Sequence, residues 1–272
     1  MRICKSYEFG EKIKGYHLGW SLAGPPLMSV YFYAFDHLFL DTGQAHMGQE
    51  VLEIAGSQQV ETIFLTHHHE DHSGNAALIQ KATGARVYGH PYTRKKLKKG
   101  YKILPYQKYV WGRSSPVTVL DLPRTIDTSL GPMIPVPTPG HSRDHTAYFL
   151  PDQGIVFSGD LYLGDRIKFF RADEDIKAQI GSLKKLLELD FDQLLCCHNP
   201  RSQKGQSHLK AKLEFLENFY GGVIELFLKG AGEKEIFSRL CLEEDWFTKL
   251  FCFGNVSMMN GVKSCIRHYQ GH

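Results

Sequence analysis

The segment Thr66-His67-His68-His69-Glu70-Asp71-His72 places four histidines and two carboxylates in six consecutive positions. Each of these groups is costly to bury without a partner, so packing alone does not account for the cluster. In an extended segment, residues two apart point to the same side, which predicts that His67, His69 and Asp71 lie together. Imidazoles and carboxylates at this density predict a metal site.

The residues on either side of this cluster predict a loop that joins a strand to a helix. The upstream run 60–66 is rich in β-branched and aromatic residues, which is typical of a buried strand. Downstream, Ser73 is a candidate N-cap and residues 76–81 form a candidate helix. The competing motif His-Glu-x-x-His would need a histidine at position 73, which is serine. A solvated loop with a chance run of histidines is the remaining alternative.

The composition is that of an ordinary globular protein. Of 272 residues, 42% are hydrophobic and 22% are charged, which indicates neither disorder nor a fibrous class. A net charge of +3 does not by itself predict nucleic-acid binding. The six cysteines include no C-x-x-C pair and the N-terminus lacks a signal-peptide pattern, so we expect a cytoplasmic protein. No apolar stretch approaches the ~18 residues of a membrane span, so we expect no membrane contact.

The segments before the cluster predict a hairpin and a helix. Residues 28–35 and 37–40 form candidate strands that turn near Asp36, and the second strand ends at Asp41. Asp41 suits either a turn carboxylate or a group that orients a metal ligand. Residues 49–58 form a candidate helix, and residues 84–90 a further buried strand. Strand, helix and strand in this order predict a crossover unit with parallel strands.

Further polar residues follow predicted turns and strands later in the chain. The Pro139-Gly140 turn presents His141, and His145 follows four residues on. One apolar strand ends at Asp160 and another at His198. With the first cluster, these residues supply enough ligands for two divalent metals that share one carboxylate. The seven candidate ligands are His67, His69, Asp71, His72, His141, Asp160 and His198.

Two segments have no part in this metal site. Residues 94–102 form a dense basic run, which is either a solvated surface or a platform for an anionic substrate. Beyond Arg201 the pattern becomes helical, with expected breaks at Gly221-Gly222 and Gly230. We therefore predict a catalytic domain over residues 1–205 and a helical C-terminal extension over residues 206–272. The extension is expected to cover the site or to form a homodimer contact.

Four motifs, taken in order, resemble those of the metallo-β-lactamase superfamily. They are H-x-H-x-D-H at 67–72, Thr-Pro-Gly-His at 138–141, Ser-Gly-Asp at 158–160 and the histidine at 198. The resemblance implies an α/β fold built as a four-layer αββα sandwich, with the metals at one edge of two packed sheets. It places the chain nearest to the glyoxalase II, lactonase and phosphodiesterase-like branches.

The resemblance also implies a role for each candidate ligand. One metal would be held by His67, His69 and His141. The other would be held by Asp71, His72 and His198. Asp160 would bridge the two metals, and Asp41 would match the family's aspartate behind the ligands. We expect zinc, with iron or manganese as alternatives.

The predicted activity is hydrolysis of a small ester, thioester or lactone by a hydroxide that bridges the two metals. Asp71 is the candidate for steering protons, and His145 and Asp41 are the candidates for orienting ligands. A phosphodiesterase or ribonuclease of the same fold is the first alternative, supported only by the basic run. A relative that is not catalytic, or that holds iron for redox chemistry, is the second.

Overall fold

Alternating side chains along the strands sort the core into layers. In the computed structural model, which describes residues 1–271, Tyr33 and Phe35 pack in one apolar cluster while Val30 and Phe32 pack in another. Residues 147–150 alternate in the same way. Tyr148 and Leu150 belong to the cluster that contains Tyr33, whereas the two residues that alternate with them belong to a different cluster. Successive side chains of a strand point to opposite faces, so the central strands of both sheets, such as β4, β10 and β11, are buried on both faces.

The first sheet has seven strands in sequential order. Its first four strands pair antiparallel, and the pairs from the fourth strand to the seventh are parallel. The predicted hairpin and crossover are both present in it. The strands are β1 Arg2–Phe9, β2 Ile13–Trp20, β3 Ser29–Phe35, β4 Leu38–Leu40, β5 Thr62–Phe64, β6 Arg86–Gly89 and β7 Val119–Asp121.

The second sheet has five strands, in the order β13-β11-β10-β9-β8. Only its pair β11 and β13 is parallel. Two short strands, β12 and β14, form a separate antiparallel pair. The strands are β8 Ile126–Thr128, β9 Gly131–Pro137, β10 Thr146–Leu150, β11 Ile155–Gly159, β12 Phe170–Arg171, β13 Gln193–Cys196 and β14 Val256–Ser257.

Helices cover the outer face of each sheet. Side chains of α1, α3 and α4 pack with the first sheet, and side chains of α6, α7 and α10 pack with the second. The predicted αββα sandwich and the helical C-terminal region are therefore confirmed. The helices are α1 Gly48–Ser57, α2 Glu70–Ser73, α3 Ala76–Thr83, α4 Pro91–Lys99, α5 Pro105–Val110, α6 Ile176–Leu187, α7 Gly205–Leu228, α8 Glu233–Arg239, α9 Trp246–Phe251 and α10 Met258–Tyr269.

The C-terminal region departs from the sequence prediction at one point. Helix α7 runs without a break through Gly221-Gly222, where we expected it to end. Two glycines cost a helix about 2 kcal/mol in total, which the burial of neighbouring apolar side chains outweighs. Leu216, Phe219 and Val223 supply that burial, and a side chain at Gly222 would press against Leu240. The predicted break at Gly230 is present, since α7 ends at Leu228.

None of the helices among residues 1–271 combines the length and the apolar composition that crossing a bilayer requires.

The interface between the two sheets generates a stability prediction. Phe157 is 1% exposed and stacks on Phe35 with ring centroids 5.8 Å apart. Phe157→Ala should lower the free energy of unfolding by about 3–5 kcal/mol, because it opens a cavity between the sheets. Leu228→Ala, at a position that is 63% exposed, should change it by less than about 0.5 kcal/mol. Denaturant unfolding measures both, and equal effects would contradict this account of the core.

Candidate metal centre

The ends of several strands bring the predicted ligands together. Strand β5 leads into His67, the β9–β10 turn carries His141, β11 ends at Gly159 before Asp160, and β13 ends two residues before His198. Six of the seven side chains are buried and His198 is partly exposed. They form two groups of potential metal ligands, one with three members and one with four.

The first group consists of three histidines, His67, His69 and His141. The Nδ1 atom of His69 lies 2.8 Å from His67 Nε2 and 3.1 Å from His141 Nε2. Burial holds the pKa of His67 and His69 well below the usual histidine value, so both rings are neutral. A neutral imidazole has one donor and one acceptor, so three facing nitrogens cannot all satisfy one another. Neutral imidazole nitrogens are also the form that binds a metal.

The second group consists of Asp71, His72, Asp160 and His198. His72 Nε2 lies 3.3 Å from Asp160 Oδ1 and 3.5 Å from Asp71 Oδ2, and His198 Nε2 lies 3.4 Å from each of these oxygens. His72 Nε2 and Asp160 Oδ1 are buried and have no hydrogen-bond partner among the described residues. Buried carboxylates need a compensating charge, and a divalent cation between these atoms would supply it.

Asp160 connects the two groups. Its Oδ1 atom faces His72 and His198, whereas its Oδ2 atom lies 3.4 Å from His141 Nε2 in the first group. One carboxylate therefore faces both groups, each with a different oxygen. This arrangement fits a pair of metal ions that share a ligand.

His145 fixes the turn that presents Asp160. Its Nε2 atom accepts a hydrogen bond of 3.0 Å from the Asp160 amide, and its Nδ1 atom lies 2.8 Å from Thr138 Oγ1. Burial lowers the pKa of His145 to about 3, which keeps the ring neutral and able to accept. The backbone at Gly159 has a φ of 48°, and a Cβ there would lie 2.6 Å from the His145 ring. Glycine is therefore required at this turn.

Asp41 holds His72 from behind. Its two carboxylate oxygens accept hydrogen bonds of 2.8 Å from the amide and the hydroxyl of Thr66, and one of them lies 2.8 Å from His72 Nδ1. The Nε2 atom of His72 is left to face Asp160. Carboxylates placed behind a ligating histidine fix its orientation and raise its basicity. Asp41 and His145 thus contact the candidate ligands His72 and Asp160 and are buried away from the solvent.

Similarity to known proteins identifies the family of this chain. The family model described as the metallo-beta-lactamase superfamily matches residues 38–198, more than half of the chain. The chain belongs to the metallo-β-lactamase superfamily. Two relatives named hydroxyacylglutathione hydrolase are similar in sequence. That of Methylobacillus flagellatus is 30% identical over 171 residues, and that of Shewanella baltica is 31% identical over 185 residues.

These two matches cover 61% and 66% of this chain, and 59% and 60% of the length of the relatives. Among solved structures, a metallo-beta-lactamase family protein from Thermus thermophilus aligns with a TM-score of 0.67 at 21% identity, over 94% of both chains. A metallo-beta-lactamase from Erythrobacter litoralis aligns with a TM-score of 0.61 at 15% identity, over 80% of this chain and 100% of its own. At sequence identities this low, the two structural alignments show a shared fold alone.

The histidine motif of the metallo-β-lactamase superfamily is partly helical here. Residues Glu70–Ser73 form a helical turn, so Asp71 reaches the site from a helix and the expected extended path ends at His69. The expectation that Ser73 caps the following helix is wrong, because its hydroxyl donates to the carbonyl oxygens of His68 and His69. Asn75 precedes that helix instead.

The two residues of the motif outside the ligand set, His68 and Glu70, are buried as well. The ring of His68 lies 2.9 Å from Asp144 Oδ2, and its backbone amide donates to the same carboxylate. Gln107 donates to Glu70, whose pKa is raised by burial. Both side chains therefore hold the loop in place through their contacts with Asp144 and Gln107.

One residue that contacts a candidate metal ligand could not be found from the sequence. Glu174 Oε1 lies 2.8 Å from His141 Nδ1, and the Glu174 carboxylate also accepts from Gln179 in α6. The only signal in the sequence is a short acidic run, 173–175, which reads equally well as the start of a helix. Contact between this run and His141 depends on the way in which the β11–α6 connection folds back.

Two residues of the C-terminal helices support the same region. Lys212 of α7 is 1% exposed and donates from its amine to the carbonyl of Leu161, the residue after Asp160. Burial lowers the pKa of Lys212 to about 8. Ser264 of α10 donates from its hydroxyl to the backbone carbonyl of Glu174. The extension thus contacts the chain next to Asp160 and behind His141.

A cavity of about 460 Å³ opens beside the two ligand groups. At one end it is lined by candidate ligands, namely His69, Asp71, His141, Asp160 and His198. Its walls are largely apolar and include Tyr106, Trp111, Ile167, Phe169, Phe247 and Phe251. Arg166 and Lys168 also line it and are exposed. A cavity of this size is large enough for a small organic molecule.

Loss of the Asp41 charge should weaken metal binding. Asp41→Asn keeps the size of the side chain but replaces one acceptor with an amide group that faces Thr66 and His72. We expect metal affinity to fall about 10–100-fold, measured by competition with a chromophoric chelator. Asp121→Asn, which removes an exposed carboxylate paired with Arg94, should leave affinity unchanged. Equal affinities for the Asp41 variant and the parent protein would contradict the orienting role.

Proposed function

We propose that this protein is a dinuclear metal-dependent hydrolase that acts on a small ester, thioester or lactone. The observation that carries the proposal is the position of Asp160, whose two carboxylate oxygens face two separate groups of buried ligands. The ligand assignment is the one that the family resemblance implies. His67, His69 and His141 would hold one metal, Asp71, His72 and His198 would hold the other, and Asp160 would be shared by both.

The chemistry divides between the metals and the protein. When bound, two divalent cations supply a hydroxide at neutral pH and withdraw electron density from a carbonyl. Hydrolysis then joins the oxygen of water to the acyl carbon and breaks the bond from that carbon to oxygen or sulfur. The leaving group departs with the electron pair of that bond and takes up a proton. The reaction needs no oxidant or reductant.

Residues of the chain supply position and proton transfer. Asp71 lines the cavity as well as the second ligand group, so it is placed to accept a proton near the reacting carbonyl. Asp41, Glu174 and His145 act behind the ligands and position them. The largely apolar walls of the cavity limit the access of water, which strengthens charge interactions at the metal end.

The two relatives named hydroxyacylglutathione hydrolase support hydrolysis of an ester or thioester. Zinc is the proposed metal, because histidine nitrogens and carboxylate oxygens in sets of three or four, with an open position, suit it. The nucleic-acid alternative gains nothing from the structure. Helix α4 carries most of the basic run, and none of residues 94–102 lines the cavity.

Metal content tests the proposal directly. Protein purified without chelator should contain two divalent metals per chain by elemental analysis, and chelation should abolish hydrolysis of an ester, thioester and lactone panel. Restoration of activity by Zn²⁺ completes the test. A metal content of one or less per chain after reconstitution would exclude a dinuclear centre, and two irons with redox activity would replace hydrolysis as the proposed reaction.

Asp160→Asn provides a second test, because it removes the shared charge while it preserves the shape of the side chain. We expect metal content and activity to fall together, with activity lower by a factor of about 100 or more. Asp152→Asn, a change outside both ligand groups, serves as the control. If the Asp160 variant retained both metals and full activity, the shared ligand would be assigned wrongly.

A further inference from the structure

We propose that the substrate is an ester or thioester of a hydrocarbon acyl chain of medium length, joined to a leaving group that carries negative charge. The inference rests on the proposed hydrolase function and adds the substrate class. It comes from the shape and chemistry of the cavity beside the ligand groups. One end of the cavity holds the ligands, its walls are aromatic and aliphatic, and exposed cations line it.

The walls of the cavity are suited to a hydrocarbon chain. Helix α5 contributes Tyr106 and helix α9 contributes Phe251, whose ring centroids lie 6.2 Å apart. The neighbouring Trp111 is buried, and its ring centroid lies 6.1 Å from that of His198. An apolar surface therefore continues directly from the second ligand group. Such a surface gains about 25 cal/mol for each Å² of hydrocarbon that it covers.

The volume of the cavity limits the length of that chain. At about 30 Å³ for each water-sized group, 460 Å³ accommodates about fifteen non-hydrogen groups, which fits a reacting carbonyl with about eight to twelve carbons. Beyond that length a chain would pass Phe247 and Leu27, which line the cavity but are 67% and 53% exposed. Additional carbons would then meet water and contribute little.

Positive charge in the exposed part of the lining favours an anionic leaving group. Arg166 and Lys168 are exposed there and form no ion pair within residues 1–271, whereas Arg171, the third cation of the lining, is paired with Asp173. Asp245 precedes α9 and caps that helix, because its carboxylate accepts hydrogen bonds from the amide and the hydroxyl of Thr248. Apart from the metal ligands, Glu174 is the only carboxylate in the described lining, and it is bound to His141. Phosphate groups on a thiol or alcohol would suit the two cations.

The reaction is the hydrolysis already described. Water adds its oxygen to the acyl carbon, the carbon–sulfur or carbon–oxygen bond breaks, and the leaving group takes a proton. A fatty carboxylate and an anionic thiol or alcohol are the products. The acyl chain stays along the apolar walls, while the leaving group lies toward Arg166 and Lys168.

Chain length is tested on the metal-loaded protein with acyl-coenzyme A thioesters from acetyl to hexadecanoyl. We expect kcat/KM to rise about threefold for each added methylene from acetyl to octanoyl, about 700-fold in total, and to level off beyond about twelve carbons. Calorimetric binding of the carboxylate products gives a readout that does not depend on turnover. The dissociation constant should fall about tenfold or more from hexanoate to decanoate, since the carboxylate is common to both.

Two substitutions in α9 distinguish the effect of the cavity lining from the effect of the exposed surface. Phe247→Ser changes a residue that lines the cavity, and Leu250→Ser changes one that does not line it and is 72% exposed. Both positions are exposed, so both variants are expected to fold. The ratio of dodecanoyl to acetyl kcat/KM should fall about tenfold in the first variant and stay constant in the second, because a twelve-carbon chain extends as far as Phe247. Equal changes in both would overturn the assignment of the chain to the cavity.

The charge of the lining is tested by comparing octanoyl-coenzyme A with octanoyl-N-acetylcysteamine, which lacks phosphate. The double variant Arg166→Gln/Lys168→Gln should reduce the preference for the first substrate about tenfold, and more at low salt than at high salt. Lys98→Gln/Lys99→Gln, a pair outside the cavity lining, is the control. An unchanged preference in the Arg166/Lys168 variant would overturn the anionic leaving group.

The outcomes distinguish this inference from the function on which it rests. Hydrolysis at equal rates for acetyl and octanoyl substrates, with no dependence of product binding on chain length, would overturn the acyl-chain inference alone. Binding that strengthens with chain length, without hydrolysis of any substrate by protein that holds two metals, would support the cavity assignment and overturn the hydrolase function.

Discussion

The carboxylate of Asp160 lies between two groups of candidate metal ligands, and hydrogen bonds from the surrounding structure hold it there. A buried carboxylate without a cation is costly, so its position makes sense only if positive charge lies on both sides of it. The left-handed turn at Gly159 and the acceptor nitrogen of His145 hold the Asp160 backbone in place. The amine of Lys212 holds the next residue by its carbonyl. Three different parts of the chain thus fix one side chain.

The double-sheet architecture explains why so many candidate ligands meet at this position. The central strands β4, β10 and β11 are buried along their whole length, so the polar residues next to them lie where the strands end. The parallel pairs β4–β5 and β11–β13 have their carboxyl ends side by side, which brings Asp41 close to the histidine motif and Asp160 close to His198. Ligands far apart in the sequence therefore become neighbours without long loops.

Much of this arrangement could be predicted from the sequence, because it depends on local patterns. Apolar strands that stop at a histidine or aspartate, together with the Pro139-Gly140 turn, identified all seven ligand candidates, and the motif order identified the superfamily and its sandwich. The remaining features depend on contacts between distant segments. Glu174 lies in an acidic run that resembles an ordinary helix start, and its contact with His141 follows only from the folded path.

The sequence also did not predict that α7 continues through Gly221-Gly222. The packing of neighbouring residues outweighs the low helix propensity of the two glycines. The residues that line the cavity could not be predicted from the sequence for a similar reason. Tyr106 and Trp111 come from α5 and its end, whereas Phe247 and Phe251 come from a helix more than a hundred residues later. No sequence periodicity connects these two segments, so their shared surface becomes visible only in the folded protein.

The contributions of Lys212 and Ser264 have a consequence for the order in which the protein matures on the ribosome. All seven ligand candidates lie between positions 67 and 198, so they leave the exit tunnel before α7 and α10. The supports next to Asp160 and behind His141 arrive afterwards. A nascent chain has the complete ligand set before it has the rigid frame around it, and a metal captured at that stage meets more adjustable side chains than the finished site presents.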